Sequence, residues 1–399
     1  MEVTFPEEAG SRPGSADGPD AGASPAGRAS GPVAPGPAVV VKIGSSSVAA
    51  ADGLVHTAAL DALSAEIAVL RSEGYRVVIV TSGAIAVGWR SLASKGGRPT
   101  DSVTLQAVAA LGQHRLMRHW DDALGARQMA AGQVLMAPLD FVHRRQYLHV
   151  RRTLERLLEL GIVPVVNEND AVADEEIRFG DNDRLAALVS HLVRARLLVV
   201  LTDTPGLYTG DPRRTAGASL IEEVLYIDQE LERAAGGPGS VVGSGGMASK
   251  LAAAKIATWS GVEVVIADAA RPGVLRDAVH GKAGVGTRFR PDRRRLPARK
   301  LWIAFAVGAS GTVVVDDGAR RALTERGTSL LLAGVRDASG SFSVDDAVEI
   351  AGEDGAVFAK GLTRSSREQV VAWAGRRSDE LPDGVAAEVV HRDDLVILR

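Results

Sequence analysis

A chain of 399 residues with 46% apolar but only 4% aromatic content can build an Ala/Val/Leu-rich α/β core spread over two or three domains, and its net charge of −3 gives no overall case for nucleic acid. It has no cysteine, which excludes disulfides, thiolate metal sites and cysteine nucleophiles. No apolar run approaches the roughly 18 residues that span a bilayer, and the N-terminus lacks a signal-peptide core, so a soluble cytoplasmic protein without a membrane partner is expected.

Residues 1–37 hold seven of the 17 prolines among Gly, Ala and Ser. A segment of that composition buries too little to order itself and is read as a disordered tail. The fold begins at Ala38 to Val48, AVVVKIGSSSV, a β-branched strand with Lys42 near its end and a Gly44-Ser45-Ser46-Ser47 turn. The chain contains neither a Walker A loop nor GxGxxG. A strand ending in Lys-x-Gly-Ser can offer an ammonium and backbone N–H groups to phosphate, or Lys42 can simply be exposed at a strand end.

A helix is predicted over 56–72, stopped by Gly74, and then a strand over 76–81 opening into Ser82-Gly83-Ala84. Gly83 either permits a tight turn or lets amides at a helix N-terminus approach an anion. Helices are predicted over 102–124 and 144–160. The short apolar run Ile162 to Val166 then reads as a buried strand leading into NENDAVADEEIRFGDND, Asn167 to Asp183.

That loop sets seven carboxylates (Glu168, Asp170, Asp174, Glu175, Glu176, Asp181 and Asp183) against one base, Arg178, with Asn167, Asn169 and Asn182 between them. Crowded like charge is unfavourable unless a cation neutralises it. A solvated acidic loop needs only charge, whereas interleaved amides suit a ligand with both donors and acceptors.

Downstream lie an apolar strand ending at Thr202-Asp203, the run Gly243 to Lys250 (GSGGMASK) opening a helix to about Trp259, and a strand over 262–267. Three glycines, a helix N-terminus and Lys250 make a better phosphate cradle than the Gly44 turn. Alternating strands and helices argue a mainly parallel sheet covered on both faces. The eight histidines show no metal-binding spacing, and no protein metal site is expected.

VVVKIGSSS, VIVTSGAIAVG, VPVVNENDAVA, FGDNDRLAALV, VLTDTPGLYTGDPR and GSGGMASK, in this order, resemble the amino acid kinase family and, within it, the glutamate 5-kinases. Ser244 and Ser249 depart, standing where threonine is expected, and the Pro/Gly/Ala-rich tail is extra. The resemblance implies an αβα sandwich and transfer of the γ-phosphoryl group of ATP, with Mg²⁺, to the side-chain carboxylate of L-glutamate, the first step towards proline. It implies that Lys42 and Lys250 face the phosphates and that Asp183 orients them. Thr202, Asp203, Ser244, Gly245, Gly246, Met247, Ala248, Ser249 and Lys250 would hold the nucleotide. Ser82, Asp170 and Asn182 would hold the acceptor. A homo-oligomer and functional coupling to glutamyl phosphate reductase are further implications. Aspartate, acetylglutamate or a nucleoside monophosphate are the alternative acceptors. The acidic loop repels phosphate, but aspartate is one methylene shorter than glutamate, a difference worth only about 1–3 kcal/mol in a pocket.

Residues 288–300, RFRPDRRRLPARK, carry seven bases and one acid and are read as a basic linker between a kinase domain at 38–287 and a second domain at 301–399. Short strands with Gly and Asp turns there suggest a small β-barrel. DDGARRAL, RGTSLLLAGV and AKGLTR resemble a PUA domain, a module best known from RNA-modifying enzymes. RNA binding is therefore a competing reading, disfavoured by the negative net charge and by the lack of basic-aromatic interleaving.

Overall fold

The computed structural model describes residues 36–92, 99–137, 139–142, 144–172, 182–210, 217–235, 246–292, 295–305 and 307–398. The tail assigned to residues 1–37 lies almost wholly outside these residues.

Eight strands form the larger sheet: β1 (Ala38–Ile43), β2 (Arg76–Val80), β3 (Ala131–Met136), β4 (Val163–Glu168), β5 (Leu197–Thr202), β6 (Glu223–Val224), β7 (Glu263–Asp268) and β8 (Thr287–Phe289). Their spatial order is β3-β4-β2-β1-β5-β7-β8-β6. From β3 to β7 every pairing is parallel, and β8 turns antiparallel to β7. β1, β2, β4 and β5 are Val/Leu/Ile-rich and buried almost throughout, as strands covered on both faces must be. β3, with the sequence AGQVLM, was not expected. It is a half-exposed edge strand, so it lacks the apolar run that marks its neighbours.

Strand alternation sends Val39, Val41 and Ile43 to one face and Val40 to the other. The first face is covered by the helices Thr57–Ser72, Ser102–Gly125 and Val274–Val279; the second by Asn182–Leu192 and Met247–Trp259. The chain leaves β1 for β2 on one side and later returns to β5 on the other, so β1 stands at the point where the strand order reverses. Open α/β sheets place ligands beyond the carboxyl ends of strands at such a point.

On the first face the helices Ala84–Arg90 and Ser102–Gly125 touch backbone to backbone. A Cβ on Gly88 would come within 2.0 Å of Val108 O, and one on Gly112 within 1.8 Å of Ala84 O. Only glycine permits that approach.

A six-stranded curled sheet follows, comprising β9 (Gly311–Val315), β10 (Leu330–Leu331), β11 (Val335–Gly340), β12 (Ala347–Gly352), β13 (Val357–Thr363) and β14 (Glu388–Ile397), in the order β10-β14-β13-β12-β9-β11. It encloses its own core, including Val313, Leu323, Ile350, Val370 and Val389. DDGARRAL opens a helix: Asp316 caps Asp317–Arg326 by accepting from Ala319 N–H, and Gly327 at φ 61° ends it.

The basic segment 288–300 starts within β8 and ends in the helix Ala298–Phe305. Its described charges are largely paired. Arg288 and Arg290 both reach Glu263, Arg290 also meets Glu223, and Arg299 meets Asp394. Leu301 and Ile303 of that helix are buried in the same core as Leu188, Leu251 and Val396, so the smaller sheet packs onto the larger one through it. Phe305 stands edge-on to Trp259, with ring centroids 5.2 Å apart. Among the described residues no helix is long and apolar enough to cross a membrane.

Candidate active site

Lys42 shares the face of Val40 at the end of β1, in register with Val80 of β2 and Val200 of β5. It is therefore aimed at the two helices on that face. Asp183 sits in the first turn of Asn182–Leu192, and Lys250 in the first turn of Met247–Trp259. The three side chains meet: Lys42 Nζ lies 2.5 Å from Asp183 Oδ1, and Lys250 Nζ lies 3.2 Å from Asp183 Oδ2. Ser249 Oγ donates to the same Oδ2 at 3.2 Å.

All three ionic groups are buried, with 4%, 0% and 5% of Lys42, Asp183 and Lys250 exposed. Burial pushes the Asp183 carboxyl up, but the two ammonium groups outweigh it and hold the carboxyl below the usual carboxylate range. Two lysines on one carboxylate leave a net positive charge, which suits a polyanion.

The surroundings add donors. Gly246 caps the Met247 helix with no side chain in the way, so the helix N-terminus offers backbone N–H groups next to Lys250. A Cβ on Gly44 would lie 3.7 Å from Lys42 Nζ, in space that a ligand reaching that lysine would use. Ser244 and Gly245 lie outside the described residues. At the end of β5, Thr202 is buried and donates to Asp203 at 3.1 Å.

Ser82 and the start of the acidic loop, at the ends of β2 and β4, form the other half. Ser82 is buried, and Gly83 follows at φ 102°, a left-handed conformation that only glycine adopts without strain. The preceding Thr81 is fixed from two sides, donating its N–H to Val166 O and accepting from Trp120 Nε1. The Glu168 N–H is shared between Asn167 Oδ1 at 3.0 Å and Asn182 Oδ1 at 3.2 Å. Asn167 Nδ2 donates to Gln113 Oε1 at 2.7 Å. Asp170 is half-buried in the turn beyond. Asp174, Glu175, Glu176, Arg178 and Asp181 lie outside the described residues.

Direct contacts thus join Lys42, Asp183, Ser249 and Lys250 in one cluster and Asn182, Glu168, Asn167 and Gln113 in another, linked by the adjacent positions 182 and 183. Ser82, Asp170, Thr202 and Asp203 are carried to the same sheet edge by the topology. Gln113 was absent from the sequence-based candidates. Its signal was a long polar side chain within the buried stripe Val108, Gly112, Leu116, Trp120 of one helix. Among the described residues no group of three His, Asp or Glu side chains is arranged to hold a metal ion.

An open parallel sheet with opposed lysines at its carboxyl edge defines a class of phosphoryl-transfer proteins, and comparison with known proteins agrees. A family model described as "Amino acid kinase family" matches residues 37–268, and one for the PUA domain matches residues 311–385. Similar relatives include the glutamate 5-kinase of Syntrophotalea carbinolica, 45% identical over 363 residues, covering 90% of this chain and 96% of that protein. The glutamate 5-kinase of Geobacter sulfurreducens is 42% identical over 364 residues, covering 90% and 97%. Among solved structures, carbamate kinase from Giardia lamblia bound to AMP-PNP has a TM-score of 0.46 at 17% identity, covering 64% of this chain and 99% of that one. The chain belongs to the amino acid kinase family, among its glutamate 5-kinases.

Proposed function

We propose that this chain transfers the γ-phosphoryl group of ATP to the side-chain carboxylate of L-glutamate, giving L-glutamyl 5-phosphate for proline biosynthesis. The observation that carries the reading is the buried Asp183 carboxylate between the ammonium groups of Lys42 and Lys250, at the carboxyl edge of a parallel sheet.

The acceptor is already ionised at neutral pH, so no general base is required. What the protein supplies is alignment and charge neutralisation. In this reading Lys42 and Lys250 bind the transferring phosphoryl group from two sides, and Asp183 holds both ammonium groups in place. Thr202, Asp203, Ser244, Gly245, Gly246, Met247, Ala248 and Ser249 hold the nucleotide through hydroxyl and backbone contacts. Asn182 spends its Oδ1 on the Glu168 N–H, so its Nδ2 donors suit the substrate α-carboxylate, while Asp170 suits the α-amine and Ser82 positions the side-chain carboxylate.

Mg²⁺ would arrive with the nucleotide and neutralise charge on the β- and γ-phosphate oxygens. The donor set fits that role: Asp183 is committed to two lysines, and an ion held mainly by substrate phosphates and water needs no protein cage.

The proposed division of the chain is a kinase domain at 38–287, a basic connection at 288–300 and a PUA-like domain at 301–399. Ion pairing of Arg288, Arg290 and Arg299 supports a structural or modulating role for that connection over RNA binding. A homo-oligomer would give cover to Leu225 and Tyr226, which are exposed beside the edge strand β6. An acyl phosphate hydrolyses readily in water, which favours functional coupling to the reductase that consumes it. The ATP that the proposed reaction consumes is made available in the cytoplasm, which favours that location.

The deciding experiment is ATP- and Mg²⁺-dependent acyl phosphate formation, trapped with hydroxylamine, with glutamate, aspartate and N-acetylglutamate in parallel. Hydroxamate from glutamate alone is the expected result; a better rate with either other acceptor would overturn the substrate assignment.

A further inference from the structure

Gln113 belongs to no strand-end loop, yet its side chain is 9% exposed and ends in a buried hydrogen bond to the acceptor half of the site. Its neighbour Gly112 is where the Ser102–Gly125 helix presses against Ala84 O, immediately after the Ser82-Gly83 turn. One turn of one helix therefore touches both loops proposed to hold the acceptor. Gly112 sets the distance to the loop after β2, and Gln113 sets the distance to the loop after β4.

The hydrogen bonds also fix which way each amide faces. The Glu168 N–H needs an acceptor, so Asn167 turns Oδ1 towards it and is left with Nδ2. That group needs an acceptor in turn, and Gln113 Oε1 supplies it at 2.7 Å. Without an oxygen at position 113, the buried Asn167 Nδ2 loses the acceptor that holds it, and the side chain must shift to find another partner. The same N–H is shared with Asn182 Oδ1, so a shift of Asn167 would alter the bond that orients Asn182.

We infer that Gln113 is a positioning residue for the acceptor: by fixing the Asn167 amide it sets the Glu168–Asn182 hydrogen bond and the spacing between the Ser82 and Asn167 loops. The inference rests on the reading that Ser82, Asp170 and Asn182 bind the acceptor amino acid. It gives no role to Gln113 in contacting nucleotide.

The test compares Q113M, which keeps length and volume but removes the acceptor oxygen, with Q113E, which keeps an oxygen there. Losing a buried acceptor in this way should raise the glutamate KM of Q113M by about tenfold. The ATP KM should stay within about twofold, and Q113E should recover part of the loss, short of wild type because its carboxyl group is buried. Discrimination between glutamate and aspartate, as the ratio of their kcat/KM values, should fall in Q113M. If Q113M does not fold, Q113N, which withdraws the amide by one methylene, is read in the same way.

An unchanged glutamate KM in a folded Q113M would overturn the inference. So would a parallel rise of both KM values with a lowered Tm, which is what a purely structural role gives. If the wild-type enzyme prefers another acceptor, the glutamate assignment falls separately, and Gln113 is judged on that acceptor's KM.

Discussion

Lys42 Nζ and Asp183 Oδ1 lie 2.5 Å apart in a setting where neither side chain is more than 5% exposed. An ion pair so buried is a poor source of stability, because removing both charges from water costs about as much as their attraction returns. Its value lies in alignment, since Asp183 locks two lysines brought from different elements. Lys42→Ala and Lys250→Ala should each lower kcat by about 10²-fold or more, with a smaller effect on the glutamate KM. Turnover at the wild-type rate in either folded variant would remove that lysine from the mechanism.

The acceptor half should respond differently. Asp170→Ala removes the carboxylate assigned to the α-amine. Asn182→Asp replaces amide donors with a like charge facing the substrate carboxylate. Both should raise the glutamate KM by about tenfold or more while the ATP KM stays close to wild type. A change confined to the ATP KM would show that the two halves of the site are misassigned.

The meeting of Lys42, Asp183 and Lys250, proposed to hold phosphate, was foreshadowed in the sequence because it is made by strand ends and glycine-rich turns, which leave local marks. Lys42 closes a β-branched run, and Lys250 follows three glycines at a helix start. The packing that relates the loops left no such mark. The contact of Gly88 with Val108 and of Gly112 with Ala84 joins two helices, and nothing in either helix names its partner. β3 was illegible for a related reason: as an edge strand it buries too little to show a pattern. The basic segment 288–300 reads as a solvated run in sequence, and only the fold brings Glu263 and Asp394 to its arginines.

The Gly112 contact can be tested on its own. Gly112→Ala places a methyl group 1.8 Å from Ala84 O, so the two helices must separate. Overpacking of this kind costs about 1–3 kcal/mol, and here the obstacle is rigid backbone rather than a side chain that can turn away. A clear fall in Tm is expected, together with a raised glutamate KM, because the Ser82 turn moves with the Ala84 helix. Gly125→Ala, at the end of the same helix with no atom within 4 Å of the added methyl, should not destabilise the protein. Equal Tm values for the two variants would show that the helix contact is not tight.

The last turn of the Asp183 helix carries an acid-sensitive group. His191 is largely buried near Arg151 and Arg194; burial, then those two positive charges, push its pKa down to about 4. Folded and unfolded chains therefore bind protons differently between the ordinary value of 6.5 and about 4. In that window the unfolded state is the more protonated, so stability is fully present above about pH 6.5 and is lost progressively as the pH falls towards 4. The full effect is on the order of 3 kcal/mol at most, reduced by the part of the ring that water still reaches. His191→Leu should flatten the fall in denaturant-measured stability between pH 6.5 and 4, while leaving the effect of acid on the carboxylates below that range. A variant whose stability falls over this interval as steeply as the wild type would show that His191 is not the group responsible.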